Sequence, residues 1–132
     1  MESANVQVIR QLEELFNGRD LDAYVELLDP AVEWSVSQED PDATVHHGRE
    51  AVRAYLQGWI DAFRDLQIHT EEVDADGDRV RTVIHFTGRG TGSGARLEER
   101  FGFLFSVRAG LVTKVEDLGR AGRAPQARST GL

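Results

Sequence analysis

The sequence predicts an α+β fold in which helices pack on one face of a curved antiparallel sheet. Apolar residues recur at helical spacing in the first half of the chain, and after Leu66 they alternate with the period of a β-strand. A chain of 132 residues suits one domain, and because it has no cysteine, hydrophobic packing must hold it together. We therefore expect the order helix, helix, strand, helix and then four strands joined by hairpins.

Three helices are predicted. In the first, apolar residues are spaced like one face of a helix up to Phe16, and Asn17-Gly18 is typical of a helix end. Asp20 can cap a second, short helix, which Asp29-Pro30 ends because the residue before proline is pushed out of the helical region. The third helix is expected from about residue 49 to residue 64, with an aromatic-rich buried stripe.

The first strand and the hairpin are marked by alternation and by a turn signal. Apolar and polar residues alternate from Val32 to Val36, and the polar segment 37–48 after them predicts a surface loop. Asp76-Gly77 predicts a tight hairpin turn, because both positions tolerate a positive φ. The expected register sets Val73 opposite Val80 and directs the face from Val80 to Phe86 inward.

The same register makes a prediction for the strand before the turn. His69 and Glu71 are expected to point inward, an unusual place for polar groups in a plain core. The outward positions are then Ile68, Thr70 and Val83.

Two further strands and a tail complete the chain. The strands are expected at about residues 96–108 and 111–118, joined by a turn at Ala109-Gly110. Residues 119–132 consist mostly of Gly, Ala, Arg, Ser and Pro without an apolar period, so we expect a disordered C-terminal tail.

Charge and hydropathy exclude several classes of partner. The chain has 23 acidic and 15 basic residues and a net charge of −8 at pH 7, which repels phosphate backbones and anionic lipids. We therefore expect no nucleic-acid and no membrane partner. The longest apolar runs, such as Phe103-Leu104-Phe105, are far shorter than the roughly 20 residues of a membrane helix. The N-terminus has no signal-peptide pattern, so a cytoplasmic protein is expected.

Several short motifs follow one another along the chain. They are Leu27-Leu28-Asp29-Pro30-Ala31-Val32-Glu33-Trp34, His47-Gly48-Arg49-Glu50-Ala51-Val52, Asp76-Gly77-Asp78-Arg79-Val80, Phe86-Thr87-Gly88, and the closing Phe105-Ser106-Val107 with Val115-Glu116-Asp117. In their order and spacing, these motifs resemble the nuclear transport factor 2-like superfamily and its SnoaL-like (polyketide-cyclase-like) branch. The resemblance covers about residues 4–118 and implies one SnoaL-like domain over residues 1–118. It also implies a cone-shaped barrel, in which a strongly bent antiparallel sheet packs against three N-terminal helices around an apolar pocket. A homodimer through the outer sheet face is implied as well.

Aromatic residues are the candidates to line this pocket. They would bind a hydrophobic or aromatic small molecule, with the Tyr55 hydroxyl and the indole N–H groups as polar handles. The alternative is an ordinary core in which the rings pack on one another. His47 lies in the loop that the resemblance places at the pocket mouth. The full set of aromatic candidates is Trp34, Tyr55, Trp59, Phe63, Phe86, Phe101, Phe103 and Phe105.

Asp117 is the first candidate for acid/base chemistry. It falls where the resemblance implies an acidic residue, and removing a proton beside a carbonyl needs a base held in a dry site. The number of residues in the turn at Ala109-Gly110 decides which of the two neighbouring acids, Glu116 or Asp117, faces the pocket. A two-residue turn pairs Phe103 with Glu116, whereas a three-residue turn pairs Phe101 with Asp117. An exposed acid at a strand end is the alternative for Asp117.

His69 is the second candidate and could form a general acid/base dyad with Asp117, or be a satisfied core or rim histidine. No His-Glu-x-x-His or equivalent spacing is present, so no metal site and no cofactor are expected. The steroid-isomerase branch would have aspartate in place of Trp34 and tyrosine in place of Phe16, so that mechanism is not expected.

Three functions stay open at this point. The first is an enzyme of the SnoaL-like kind, a cofactor-free isomerase, cyclase, dehydratase or hydrolase. The second is ligand binding without turnover in the same pocket. The third is a dimeric protein-interaction module with a filled core. The fold alone does not choose among them, because chemistry depends on the site.

Overall fold

The computed structural model describes residues 3–36 and 44–121, and within them the α+β class is confirmed. No helix in these ranges is both long and apolar enough to cross a membrane. The elements in chain order are α1 (Ala4–Asn17), α2 (Leu21–Glu26), β1 (Leu28–Ser35), β2 (Val45–His47), α3 (Gly48–Ala62), β3 (Phe63–Asp76), β4 (Arg79–Gly90), β5 (Arg96–Arg108) and β6 (Leu111–Arg120).

The first two helices begin at capping side chains. The Ser3 hydroxyl accepts a hydrogen bond from the Val6 amide at the start of α1, at 3.3 Å. The Asp20 carboxylate accepts one from the Ala23 amide at the start of α2, at 3.1 Å, which confirms the predicted cap. Each cap satisfies an amide that has no partner inside its own helix.

Two helices end earlier than predicted because the strands after them begin sooner. α2 ends at Glu26, and the Val112 amide of β6 donates to the Leu27 carbonyl at 2.9 Å, drawing the chain into the sheet. Leu28, which the predicted helix end at Asp29-Pro30 places in the second helix, is instead the fully buried first residue of β1. In the same way Phe63, expected on the third helix, is the first residue of β3.

The sheet is mixed and open, so the predicted all-antiparallel, barrel-like sheet is wrong in these two respects. Its strand order is β2-β1-β6-β5-β4-β3, with β2 and β3 at the edges. β1 runs parallel to β6, with Trp34 opposite Val115. This direction is possible because a long connection, and not a hairpin turn, joins the two strands. β2 lies within the predicted loop 37–48, and residues 37–43 lie outside the described residues.

The β3–β4 hairpin has a different register from the predicted one. Asp76 pairs with Arg79, so that Gly77 (φ 62°) and Asp78 form the turn, and Val73 lies opposite Thr82 instead of Val80. This two-residue shift preserves the facing of β4, and its predicted inward residues Val80, Thr82 and Ile84 are buried.

A bulge in β3 reverses the facing of the residues before it. The register shifts between Thr70 and Glu72, and an extra residue at such a bulge turns the preceding side chains to the other face. Thr70 is 5 % exposed and Ile68 is half-buried against the core. The predicted inward facing of His69 and Glu71, and the outward facing of Ile68 and Thr70, are therefore wrong.

Side chains from the end of α1 and the turn after it cover the free edge of β3. Asn17 donates to the Ile68 carbonyl and accepts from the Ile68 amide, both at 2.9 Å. Arg19 donates to the Leu66 carbonyl at 2.7 Å, and Glu13 accepts from the Thr70 amide at 2.6 Å. These bonds satisfy edge groups that would otherwise be open to pairing with another strand.

The outer face of the sheet carries charged side chains. Arg100 donates to both carboxylate oxygens of Glu71, at 2.6 and 3.1 Å, and this hydrogen bonding holds the pKa of Glu71 below its usual range. His85 lies near two acids, with Nδ1 3.8 Å from Glu71 and Nε2 3.5 Å from Glu98. His85 thus lies on the outer face, beside these two acids.

The C-terminal strand runs slightly past its predicted end. β6 continues to Arg120 instead of ending at Leu118. The sequence predicts a disordered tail for residues 119–132. Of these, residues 122–132 lie outside the described part of the chain.

Candidate functional site

An apolar cavity lies between the helices and the inner face of the sheet. The cavity has a volume of about 50 Å³. Its walls are therefore close together. The lining residues are Ile9, Leu12, Glu13, Phe16, Tyr24, Trp34, Tyr55, Leu56, Trp59, Ile68, Thr70, Ile84, Phe86, Phe103 and Phe105.

The predicted aromatic residues divide into two groups. Six line the cavity, and Trp34 lies at one side of it with its ring 6.0 Å from that of Tyr55 and 6.2 Å from that of Phe103. Phe63 and Phe101 contact the ring of Trp59 at 5.6 and 6.5 Å but are not among the lining residues. The cavity is thus bounded by an aromatic cluster that also packs as core.

A few polar groups interrupt this apolar wall. Trp34 Nε1 and Thr70 Oγ1 are buried, and neither has a hydrogen-bond partner within the part of the chain that the structure describes. Tyr24 is 4 % exposed, and burial raises the pKa of its hydroxyl, which stays neutral. The residues that line the cavity thus include one buried indole donor and two hydroxyl groups.

Glu13 provides the carboxylate in the wall. Its Oε1 accepts the hydrogen bond from the Thr70 amide, and its Oε2 lies 3.9 Å from Nδ1 of His69. The Glu13 side chain is 20 % exposed, whereas that of His69 is 72 % exposed. The carboxylate is thus held at the boundary between the cavity and a solvated imidazole.

Neither of the two histidines proposed from the sequence lines the cavity. His69 faces outward because of the bulge in β3, and its Nδ1 lies 3.9 Å from the carboxylate of Glu13, a residue of the cavity wall. The His47 side chain is 70 % exposed and lies 3.9 Å from Glu33, on the opposite side of the short β2 strand. The neighbouring His46 stacks on Tyr55 at 4.5 Å instead. Partial burial and the charge of His47 lower the pKa of His46, which favours its neutral form.

Asp117 lies on the cavity side of the sheet without reaching the cavity wall. The turn at Ala109-Gly110 has two residues, but the register shifts between Ser106 and Val107, so that Asp117 pairs with Phe103. This differs from both pairings considered from the sequence. Its Oδ1 accepts a hydrogen bond from the Gly119 amide at 2.8 Å.

Glu116 consequently belongs to the other face of the sheet. It pairs with Leu104, and its Oε2 lies 3.7 Å from Arg79. Of the two acids at this strand end, Asp117 is therefore the one on the side of the cavity.

The described residues contain no group of three or more His, Asp or Glu side chains arranged to hold a metal ion. The acidic run from Asp74 to Asp78 forms the β3–β4 hairpin, as its spacing predicts.

Sequence reasoning missed Glu13 because an acid on an amphipathic helix is usually solvated. A signal was nevertheless available: Glu13 stands four residues after Ile9 and three before Phe16, which places it beside the buried stripe of α1. Thr70 was missed for a different reason, since the bulge that turns it inward has no marker in the local sequence.

Comparison with known proteins completes the description of the site. The sequence model of the SnoaL-like domain matches residues 9–115, which is most of the chain. The chain belongs to the SnoaL-like family. None of the curated proteins matches it.

Solved structures of low sequence identity share the fold of this SnoaL-like protein. An NTF2-like protein of unknown function from Burkholderia pseudomallei K96243 superposes with a TM-score of 0.78 at 21 % identity, over 96 % of this chain and 97 % of that one. A Mycobacterium tuberculosis protein in complex with estradiol-17beta-hemisuccinate superposes with a TM-score of 0.73 at 23 % identity, over 88 % of this chain and 93 % of that one. TerC co-crystallised with polyporic acid superposes with a TM-score of 0.77 at 20 % identity, over 95 % of this chain and 97 % of that one.

Proposed function

We propose that this SnoaL-like protein binds a small, flat ring molecule carrying a hydrogen-bond-accepting oxygen. The observation that carries the proposal is the pair of buried polar atoms without a hydrogen-bond partner among the described residues, Trp34 Nε1 and Thr70 Oγ1, on two residues of a largely apolar wall. A buried donor without a partner costs about 1–3 kcal/mol. A ligand oxygen that accepts from the indole would recover part of this free energy, and the apolar walls would add contact area.

The ligands of two structural relatives support the same chemical class. Estradiol-17beta-hemisuccinate and polyporic acid are both multi-ring molecules with oxygen substituents. A narrow cavity bounded by Trp34, Trp59 and Phe103 also favours ligand binding over an interaction module with a filled core.

For turnover, we propose cofactor-free acid/base chemistry of the kind expected from the sequence, such as isomerisation, cyclisation, dehydration or hydrolysis. Binding without turnover is the alternative. The carboxylate of Glu13 in the cavity wall favours turnover, because proton transfer needs an ionisable group that touches the ligand.

The binding proposal can be tested with 2-tetralone, a two-ring ketone, and tetralin, its counterpart without oxygen. Equilibrium dialysis measures both dissociation constants for the wild type and for Trp34→Phe. We expect the preference for 2-tetralone over tetralin to fall by about 2- to 12-fold in the variant, because one hydrogen bond contributes about 0.5–1.5 kcal/mol.

The comparison of two ligands cancels general effects of the substitution on the shape of the cavity. The matched control is Trp59→Phe, which changes another indole of the same wall and should leave the preference unchanged. The proposal is wrong if the wild type binds neither compound, or if Trp34→Phe and Trp59→Phe change the preference equally.

We also propose that the protein forms a homodimer through the outer sheet face. Val83 and Leu104 are the half-buried apolar residues on that face that support it. Sedimentation velocity should give twice the chain mass of 14.7 kDa, and Leu104→Asp should shift the protein to the monomer. A wild type that sediments as the monomer at every concentration would contradict the proposal.

A further inference from the structure

Glu13 combines three features that a proton-transferring group requires. It lines the cavity, its side chain is largely shielded from solvent, and its position is fixed by the hydrogen bond from the Thr70 amide to Oε1. Its second oxygen lies 3.9 Å from Nδ1 of the exposed His69, and the Glu13 side chain itself keeps 20 % of its surface in contact with solvent. A proton taken up by Glu13 can therefore exchange with water without the ligand leaving.

We infer that Glu13 is the catalytic acid/base of this protein and that it removes a proton from the carbon next to a ligand carbonyl. The inference rests on the proposed function and adds the group and the class of substrate: cyclic ketones and related compounds with an acidic C–H bond. Asp117 and His69, the residues proposed from the sequence, are not in the cavity wall.

The step balances without any further reactant. The C–H bond breaks, its proton forms an O–H bond with the Glu13 carboxylate, and its electron pair forms the new C=C bond. The carbonyl electron pair moves onto oxygen, which accepts a hydrogen bond from the indole of Trp34. Return of a proton from Glu13 to the same carbon, or to a conjugated one, restores the ketone and regenerates the carboxylate.

The arrangement of the two groups is chemically consistent with this step. Trp34 Nε1 is a fixed, buried donor, and such a donor stabilises the negative charge that develops on the carbonyl oxygen more strongly than water does. Trp34 belongs to β1 and Glu13 to α1, so the two residues line the cavity from different elements.

The inference can be tested by hydrogen–deuterium exchange into 2-tetralone. In D₂O, the wild type at saturating ligand should speed deuterium incorporation next to the carbonyl, measured by NMR after subtraction of the rate in buffer. Glu13→Gln should lower this protein-dependent rate by about 100-fold or more, because general acid–base catalysis typically contributes 10²–10⁴-fold. The affinity for 2-tetralone should remain close to that of the wild type.

The variants are chosen to keep the fold. Glutamine retains an oxygen that can accept from the Thr70 amide, and Glu13→Asp, which keeps a carboxylate, should retain more exchange than Glu13→Gln. Glu14→Gln makes the same chemical change at the adjacent, exposed position of α1 and should leave the rate unchanged. Asp117→Asn, whose amide oxygen can still accept from Gly119, should keep most of the exchange.

The outcomes separate this inference from the proposed function. If 2-tetralone binds but the wild type does not speed exchange, or if Glu13→Gln exchanges like the wild type, Glu13 is not the acid/base. Loss of exchange in Asp117→Asn alone would move the role to Asp117. If 2-tetralone does not bind, the proposed function fails and this inference fails with it.

Discussion

Phe103→Ala is expected to lower the free energy of unfolding by about 3–5 kcal/mol, the range for removing a large buried ring. Phe103 is 6 % exposed, and its ring centre lies 6.1 Å from that of Phe86 and 6.2 Å from those of Trp34 and Phe105. Since Phe103 also lines the cavity, its removal would join new empty space to the existing space. Urea unfolding followed by circular dichroism measures the loss.

Phe103→Leu is the control for size, because it retains much of the buried volume and should cost clearly less than alanine. Phe63→Ala removes a ring that is only partly buried and contacts Trp59, so its cost should also be smaller. A loss below about 1 kcal/mol for Phe103→Ala would mean that its ring adds little to the core and serves the cavity alone.

Asn17→Ala is expected to cost about 2–4 kcal/mol, because it leaves both the amide and the carbonyl of Ile68 without their side-chain partner. Both bonds are partly buried, so water replaces them poorly. The same urea unfolding experiment measures this loss.

Asn5→Ala is the matched control on the same helix. The Asn5 amide donates to the Gly77 carbonyl at 3.2 Å in an exposed position, so its loss should cost less than about 0.5 kcal/mol. Equal losses for the two variants would show that the two hydrogen bonds from Asn17 to the edge of β3 contribute little to stability.

The helices and the fold class could be predicted because their signals are local. The apolar stripe of α1, the Asp20 cap and the alternation from Phe101 to Phe105 each depend on residues close together in the sequence. The pocket itself was implied by the family resemblance, and six of the eight aromatic candidates line the cavity.

The facing of polar residues near the bulges could not be predicted. A bulge adds one residue to one strand, and this reverses the facing of every side chain beyond it. One such shift turned His69 outward and Thr70 inward, and another set Asp117 opposite Phe103. The pairing of β1 with β6 depends on packing of distant segments, which no local pattern records.

The position of Glu13 couples ligand binding to the local stability of the sheet, because Glu13 contacts both the cavity and the free edge of β3. Whenever β3 separates from α1 in a local opening, the Thr70 amide loses its acceptor and the cavity loses part of its wall at the same moment. A molecule bound in the cavity must therefore also oppose this opening, since it binds only the closed state. When a ligand occupies the cavity, the backbone amides of Ile68 and Thr70 should exchange more slowly with solvent.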